Sequence, residues 1–278
     1  MPLTVFVAVL GAALLHAGWN ALIRIGTAKL TSMLILTLVQ GGIGLAIALT
    51  RDAPAGSVWA WLLTSGFFHA GYKLFLAFAY EQGDLSRVYP IARGAAPLFV
   101  LAFSVAFLAE PLAAGQVTAI LLLGLGILLM GQEAIRSGES RRLVPLALAS
   151  ASMTAGYSLV DGLGARLSGD PVAFVGWLFV LDAALFTPSA LALRGWAVVR
   201  APVGTWVLGV AGAAFSYAAY AIVVWAMTQA PIPLVSALRE TSILFAVGIG
   251  RLAFQERIDA RKVFATFVIL AGVALARL

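Results

Sequence analysis

Ten stretches of about 20 mostly apolar residues follow one another with little chain between them, and that spacing leaves few folds open. They run over residues 3–23, 30–49, 58–80, 86–108, 113–131, 144–164, 171–193, 203–228, 232–253 and 259–276. Inside lipid the backbone must satisfy its own hydrogen bonds, so stretches of this length are expected as spanning helices. The composition agrees: 62% of the residues are hydrophobic and only 11% charged, where a soluble domain carries about a quarter charged residues. The expected fold is an all-α integral membrane protein with ten transmembrane helices. With no cysteine in the chain, disulfides, thiolate chemistry and Cys-ligated metal are excluded. The formal charge of +6 is spread over short connections and helix ends, so a nucleic-acid partner is not expected and the lipid bilayer is. The first residues lack the basic leader of a secretory signal and read as an ordinary span.

A second feature organises the spans. Residues 71–97, GYKLFLAFAYEQGDLSRVYPIARGAAP, read as the end of one helix, a polar turn and the start of the next, and residues 217–243 repeat the arrangement. A shift of 146 places Arg93 on Arg239, Phe99 on Phe245, Glu110 on Glu256 and Gly126 on Gly272. A shift of 138 places Ala17-Gly18-Trp19-Asn20 on Ala155-Gly156-Tyr157-Ser158. The longest polar segment, Gln132 to Arg142, is the natural linker, so the expected units are residues 1–138 and 139–278. With five spans each, the halves enter the membrane in opposite senses. These inverted five-helix repeats are the plan of many secondary transporters, which hold substrate between the halves.

Charges inside such a chain are costly and mark candidate sites. Arg93 and Arg239 follow Pro90 and Pro231/Pro233, and either would hold a carboxylate or phosphonate by a forked contact. Glu240 is a candidate for proton coupling; as a helical neighbour it points about 100° away from Arg239 and need not pair with it. His69, Tyr72 and Lys73 share a face of the third helix, and a histidine changes charge near neutral pH. The duplicate carries Phe215 and Ala219 in place of His69 and Lys73, so this polar face belongs to one half. His16, Trp19 and Asn20 occupy adjoining faces of the first helix, matched by Tyr157, Ser158 and Asp161 in the sixth. Tyr217, Tyr220 and Trp225 would wall a cavity for a flat or cationic solute. Asp182 is a lone acid of the seventh helix and a further proton-coupling candidate. Each of these groups has a plainer reading as a tie between helices. Glu110 and Glu256 are expected to be structural, and the glycine-rich stretches to be close-packing faces.

The repeat ends carry a family resemblance. LAFSVAFLAEPLAAGQVTAILLLGLGILLMG (101–131), VGIGRLAFQERIDARKVFATFVILAGVAL (247–275) and HAGWNALIR (16–24) resemble the EamA-type carriers of the drug/metabolite transporter superfamily. The resemblance implies a multi-pass secondary transporter of the inner (plasma) membrane, working by alternating access without a cofactor, as a monomer or homodimer. It implies a small-molecule substrate and favours export of amino acids, aromatic ones among them. Anionic solutes such as phosphonates, and drugs or amines, stay open. A membrane-embedded enzyme is a poorer reading, because the chain has two histidines, no HExxH and no G-x-S-x-G. Orientation is contested. The resemblance implies cytoplasmic termini and is the reading leaned on here. Twelve Lys and Arg near the odd-numbered connections, against Arg51, Arg166 and Arg277 on the other side, argue for the reverse.

Overall fold

The computed structural model describes residues 1–24, 29–82, 85–108, 111–130, 142–255 and 260–277. The described residues fold into helices, with no strand among them. They are α1 (Leu3–Arg24), α2 (Lys29–Ala48), α3 (Gly56–Gln82), α4 (Leu85–Phe103, continued by a π-turn at Ser104–Leu108) and α5 (Ala114–Met130). The second half holds α6 (Leu143–Ser168), α7 (Pro171–Arg194), α8 (Val203–Gln229), α9 (Ile232–Arg239), α10 (Ser242–Phe254) and α11 (Ala260–Arg277). Among the described residues, seven helical segments are long and apolar enough to cross a membrane, and α5 is a shorter apolar helix. Large side chains such as Phe107, Leu252 and Phe267 cover the outside and are exposed. That greasy surface belongs against acyl chains. The linker after Met130, with Glu110 and Glu256, lies outside the described residues.

Several ends are set locally. The Asp170 side chain accepts from the backbone N–H of Val172 at 2.9 Å and of Ala173 at 3.1 Å, and Pro171 follows where a missing N–H costs nothing. Gly169, with φ 70°, takes the left-handed turn that ends α6. At the other end of α8, Arg166 donates to the carbonyls of Met227 at 2.8 Å and Ala230 at 2.9 Å, placing a cation on the negative helix terminus.

Packing pairs the halves. α3 lies on α6, α2 on α7, α1 on α8 and α5 on α11. Replacing each helix by its counterpart in the other half returns the same four pairings. The reciprocity extends to atoms. A Cβ added at Gly126 would sit 2.7 Å from Cγ1 of Ile269, and one added at Gly272 would sit 2.9 Å from Cγ of Leu123. Leu123 and Ile269 are themselves 146 residues apart. Self-complementary contacts of this kind are what a two-fold relation produces. Across α2 and α7 the backbones almost touch, since a Cβ at Gly44 would meet the Gly176 carbonyl oxygen at 2.5 Å.

Ion pairs fix which connections share an end of the bundle. Arg194 at the end of α7 binds Glu81 at the end of α3. Arg51 after α2 lies 3.6 Å from Asp170 before α7. The third and seventh connections therefore share one face, and the second and sixth share the other.

Candidate substrate site

The centre of the bundle gathers charge in an otherwise apolar protein. His16 and Trp19 of α1, Gln40 of α2, His69, Tyr72 and Lys73 of α3, and Arg93 of α4 meet there. From the second half come Tyr157, Phe179, Ser216, Tyr220 and Arg239. The space they enclose is about 30 Å³, room for one or two waters.

The α9–α10 break builds one wall. Pro231 and Pro233 start α9, and after Arg239 the backbone tightens: Glu240 N–H donates to Ala237 O and Thr241 N–H to Leu238 O, each at 3.1 Å. This i to i+3 turn changes the angle between successive side chains. Glu240, which helical spacing does not oblige to pair with Arg239, accepts from Arg239 Nη2 at 2.8 Å and Nε at 3.0 Å through Oε1. Arg93, from the matching place in the first half, approaches the same carboxylate at 3.4 Å. Glu240 is buried behind the two guanidinium groups and does not line the cavity. Arg93 Nη2 also meets His16 Nε2 at 2.8 Å, and His16 Nδ1 accepts from Trp19 Nε1 at 3.1 Å.

The opposite wall rests on α3, with His69 and Lys73 one turn apart. His69 Nε2 lies 3.0 Å from Asp161 Oδ2 of α6, and the Tyr220 hydroxyl of α8 donates to the same oxygen. Lys73 donates to Asp182 of α7 and, at 2.6 Å, to Thr37 of α2. Asp182 is thus no lone acid; it balances Lys73. The Oδ1 atoms of both Asp161 and Asp182 are buried without a hydrogen-bond partner among the described residues.

Aromatic rings join the walls. His69 stacks on Tyr157 at 4.1 Å between centroids, 21° from parallel, and the Arg239 guanidinium sits 5.6 Å from the centre of the same Tyr157 ring. Tyr72 and Tyr220 meet Tyr157 edge-on.

Of the residues singled out in the sequence, Trp19, His69, Tyr72, Lys73, Arg93, Tyr157 and Arg239 come together around the cavity. Asn20 does not line it and donates to the His16 carbonyl of its own helix at 2.8 Å. Tyr217 packs on Phe179, 5.1 Å between ring centres, also outside the lining. Asp161 stood in the sequence reading only as part of a matched polar stretch. Its place four residues after Tyr157, hence on one helix face, is the signal that pointed here. Gln40, Phe179 and Ser216 carried no such signal.

Apolar helices long enough to cross a membrane, closed around a buried polar cavity, define a polytopic membrane protein. The chain belongs to the EamA-like transporter family, which it matches over residues 3–132 and 142–278, and so to the drug/metabolite transporter superfamily. One solved crystal structure shares the fold, with a TM-score of 0.76 at 20% identity over 99% of this chain and 98% of that one. No curated protein matches the sequence.

Proposed function

We propose that this is a secondary transporter that moves small carboxylate-bearing metabolites by alternating access, with amino-acid export, aromatic amino acids included, as the leading activity. All ten hydrophobic passages span the inner (plasma) membrane in this reading, as inverted repeats 1–138 and 139–278, and the chain works as a monomer or homodimer. The reciprocal contacts between halves and the family match on both support that arrangement.

One observation carries the substrate class. Two buried guanidinium groups, Arg93 and Arg239, share the single carboxylate of Glu240 beside an aromatic wall. Among the described residues two cations converge there on one anion, and a substrate carboxylate adds forked hydrogen bonds to them. Trp19, Tyr72 and Tyr157 receive an aromatic body. Gln40 Oε1, buried with no partner among the described residues, is an acceptor suited to an ammonium group. A site for a metabolite needs about 300 Å³ or more, ten times the enclosed space, so loading requires the helices to part. A phosphonate is the second reading, because the same arginines suit it equally.

The test is flux into proteoliposomes of the purified protein, across aromatic and small neutral amino acids, a phosphonate and a quaternary amine. Saturable movement of the amino acids is expected. Movement of the quaternary amine alone would overturn the carboxylate reading, and silence across the panel would overturn both.

A further inference from the structure

Resting on that carrier reading, we propose that His69 and Asp161, with Tyr220, form a proton-binding site, and that Tyr157 couples it to the anion held by Arg239. Asp161 Oδ2 accepts from the Tyr220 hydroxyl and faces His69 Nε2 at 3.0 Å. A carboxylate only accepts, so Nε2 carries the imidazole proton and Nδ1 carries the lone pair. His69 lines the cavity, and no hydrogen bond to Nδ1 occurs among the described residues. A proton arriving through the cavity adds to Nδ1, forming one N–H bond and turning a neutral ring into an imidazolium. No existing partner has to leave. Release reverses the step.

The site is confined to one of two matching sectors. Shifts of 146 and 138 put Phe215 in the place of His69 and Ile23 in the place of Asp161. The α3–α6 and α8–α1 interfaces are counterparts in the fold, so packing alone does not demand a buried acid–base pair in one and apolar residues in the other. Asp161 is fully buried, and its Oδ1 has no partner among the described residues.

The standing charges around His69 among the described residues are held in contacts of their own. Lys73, one turn along α3, is paired with Asp182 of α7, and α2 contributes only the neutral Thr37 and Gln40. Arg93 of α4, which also meets His16 of α1, and Arg239 of α9 lie against Glu240. The remaining titratable neighbours are the phenols of Tyr72, Tyr157 and Tyr220.

Tyr157 supplies the link. His69 stacks on its ring while the Arg239 guanidinium approaches the same ring. Two cations sharing one π-system oppose each other, and an anion on Arg239 removes the opposition. Anion and proton therefore favour each other's binding, and by linkage the effect is reciprocal. The two ligands move in the same direction, so export runs down the metabolite's own gradient and carries a proton out with it.

The experiment compares wild type with Asp161→Asn in proteoliposomes, using L-phenylalanine. An inward proton gradient is expected to raise wild-type accumulation about tenfold over no gradient. Asp161→Asn is expected to lose that increment. Full gradient-driven accumulation in Asp161→Asn overturns the proton site, as does a gradient that drives phenylalanine the opposite way. Absence of any wild-type counterflow would instead strike the carrier reading. Imidazole NMR of the protein in detergent tests the site apart from flux, since the chain has two histidines and His69→Gln assigns one. A His69 signal that titrates and moves toward the protonated form on adding benzoate is expected. A signal that benzoate leaves unchanged across the titration overturns the coupling.

Discussion

Arg93 and Arg239, equivalent residues of the two halves, turn their guanidinium groups onto one carboxylate, that of Glu240. The first-half counterpart of Glu240 is Gly94, where a Cβ would lie 2.9 Å from the Leu128 backbone nitrogen. No side chain fits there, so among the described residues these matched positions supply two cations and one anion. The imbalance is built into the packing.

Removing either cation tests that imbalance. Arg93→Ala and Arg239→Ala are each expected to cut carboxylate flux at least tenfold, in line with the ~2–5 kcal/mol typical of truncating a buried charged contact. Arg→Lys is expected to recover only part, because an ammonium cannot make the forked contact. Initial rates against substrate concentration check this; near-wild-type KM in both alanine variants would remove the clamp. Glu240→Gln leaves two buried guanidinium groups without their shared counter-charge. It is expected to lower thermal stability rather than abolish a pH response.

The Lys73–Asp182 pair yields to a double-mutant cycle. Lys73→Met alone strands a buried carboxylate and Asp182→Leu alone strands a buried ammonium, each expected to cost about 3–5 kcal/mol. The double variant removes both charges and is expected to regain most of the stability. Melting temperatures in detergent decide it. A double variant as unstable as the sum of the singles would mean that the pair contributes no mutual stabilisation.

How much of this was legible in sequence follows from what one helix can reveal. Rare charges in an apolar chain mark Arg93, Arg239, His69 and Lys73, and the shift of 146 matches the two arginines from sequence alone. Periodicity put His69, Tyr72 and Lys73 on one face. Partners were another matter. His69 and Asp161 are 92 positions apart, and Lys73 and Asp182 are 109 apart. Such pairs depend on which helices pack together, which a single-chain pattern does not encode. Asn20 and Tyr217 illustrate the converse, since one bonds a backbone carbonyl of its own helix and the other packs on a neighbouring ring. The pairing of Glu240 with Arg239 was not legible because helical spacing sets where neighbouring side chains start, about 100° apart, and not where two long ones end.

The glycine contact between α2 and α7 makes a third test. A Cβ at Gly176 would lie 2.9 Å from the Gly44 carbonyl oxygen, with no flexible side chain to yield. Gly44→Ala and Gly176→Ala are each expected to cost about 1–3 kcal/mol by overpacking. Gly42→Ala, whose added Cβ meets nothing within 4 Å, is the control on the same helix. Thermal melting should separate the first two from the third, and equal melting of all three would mean that α2 and α7 are free to spread.

Orientation is open to direct labelling because the chain has no native cysteine. Arg194 with Glu81 puts the third and seventh connections on one face, and Arg51 with Asp170 puts the second and sixth on the other. The first of these faces carries most of the basic residues near helix ends, Arg194, Arg200, Arg251, Arg261 and Lys262 among them. Short basic connections are retained in the cytoplasm. A cysteine at Gly204, at the start of α8 on the basic face, is therefore expected to resist a membrane-impermeant maleimide in intact cells. One at Ser57, at the start of α3 on the opposite face, is expected to react. With the ten passages proposed above, the chain returns to its starting side, so this outcome would place both termini opposite the cytoplasm, against the orientation implied by family resemblance. The reverse labelling pattern would mean that charge asymmetry does not set the topology, and that substrate reaches the arginines from the other side.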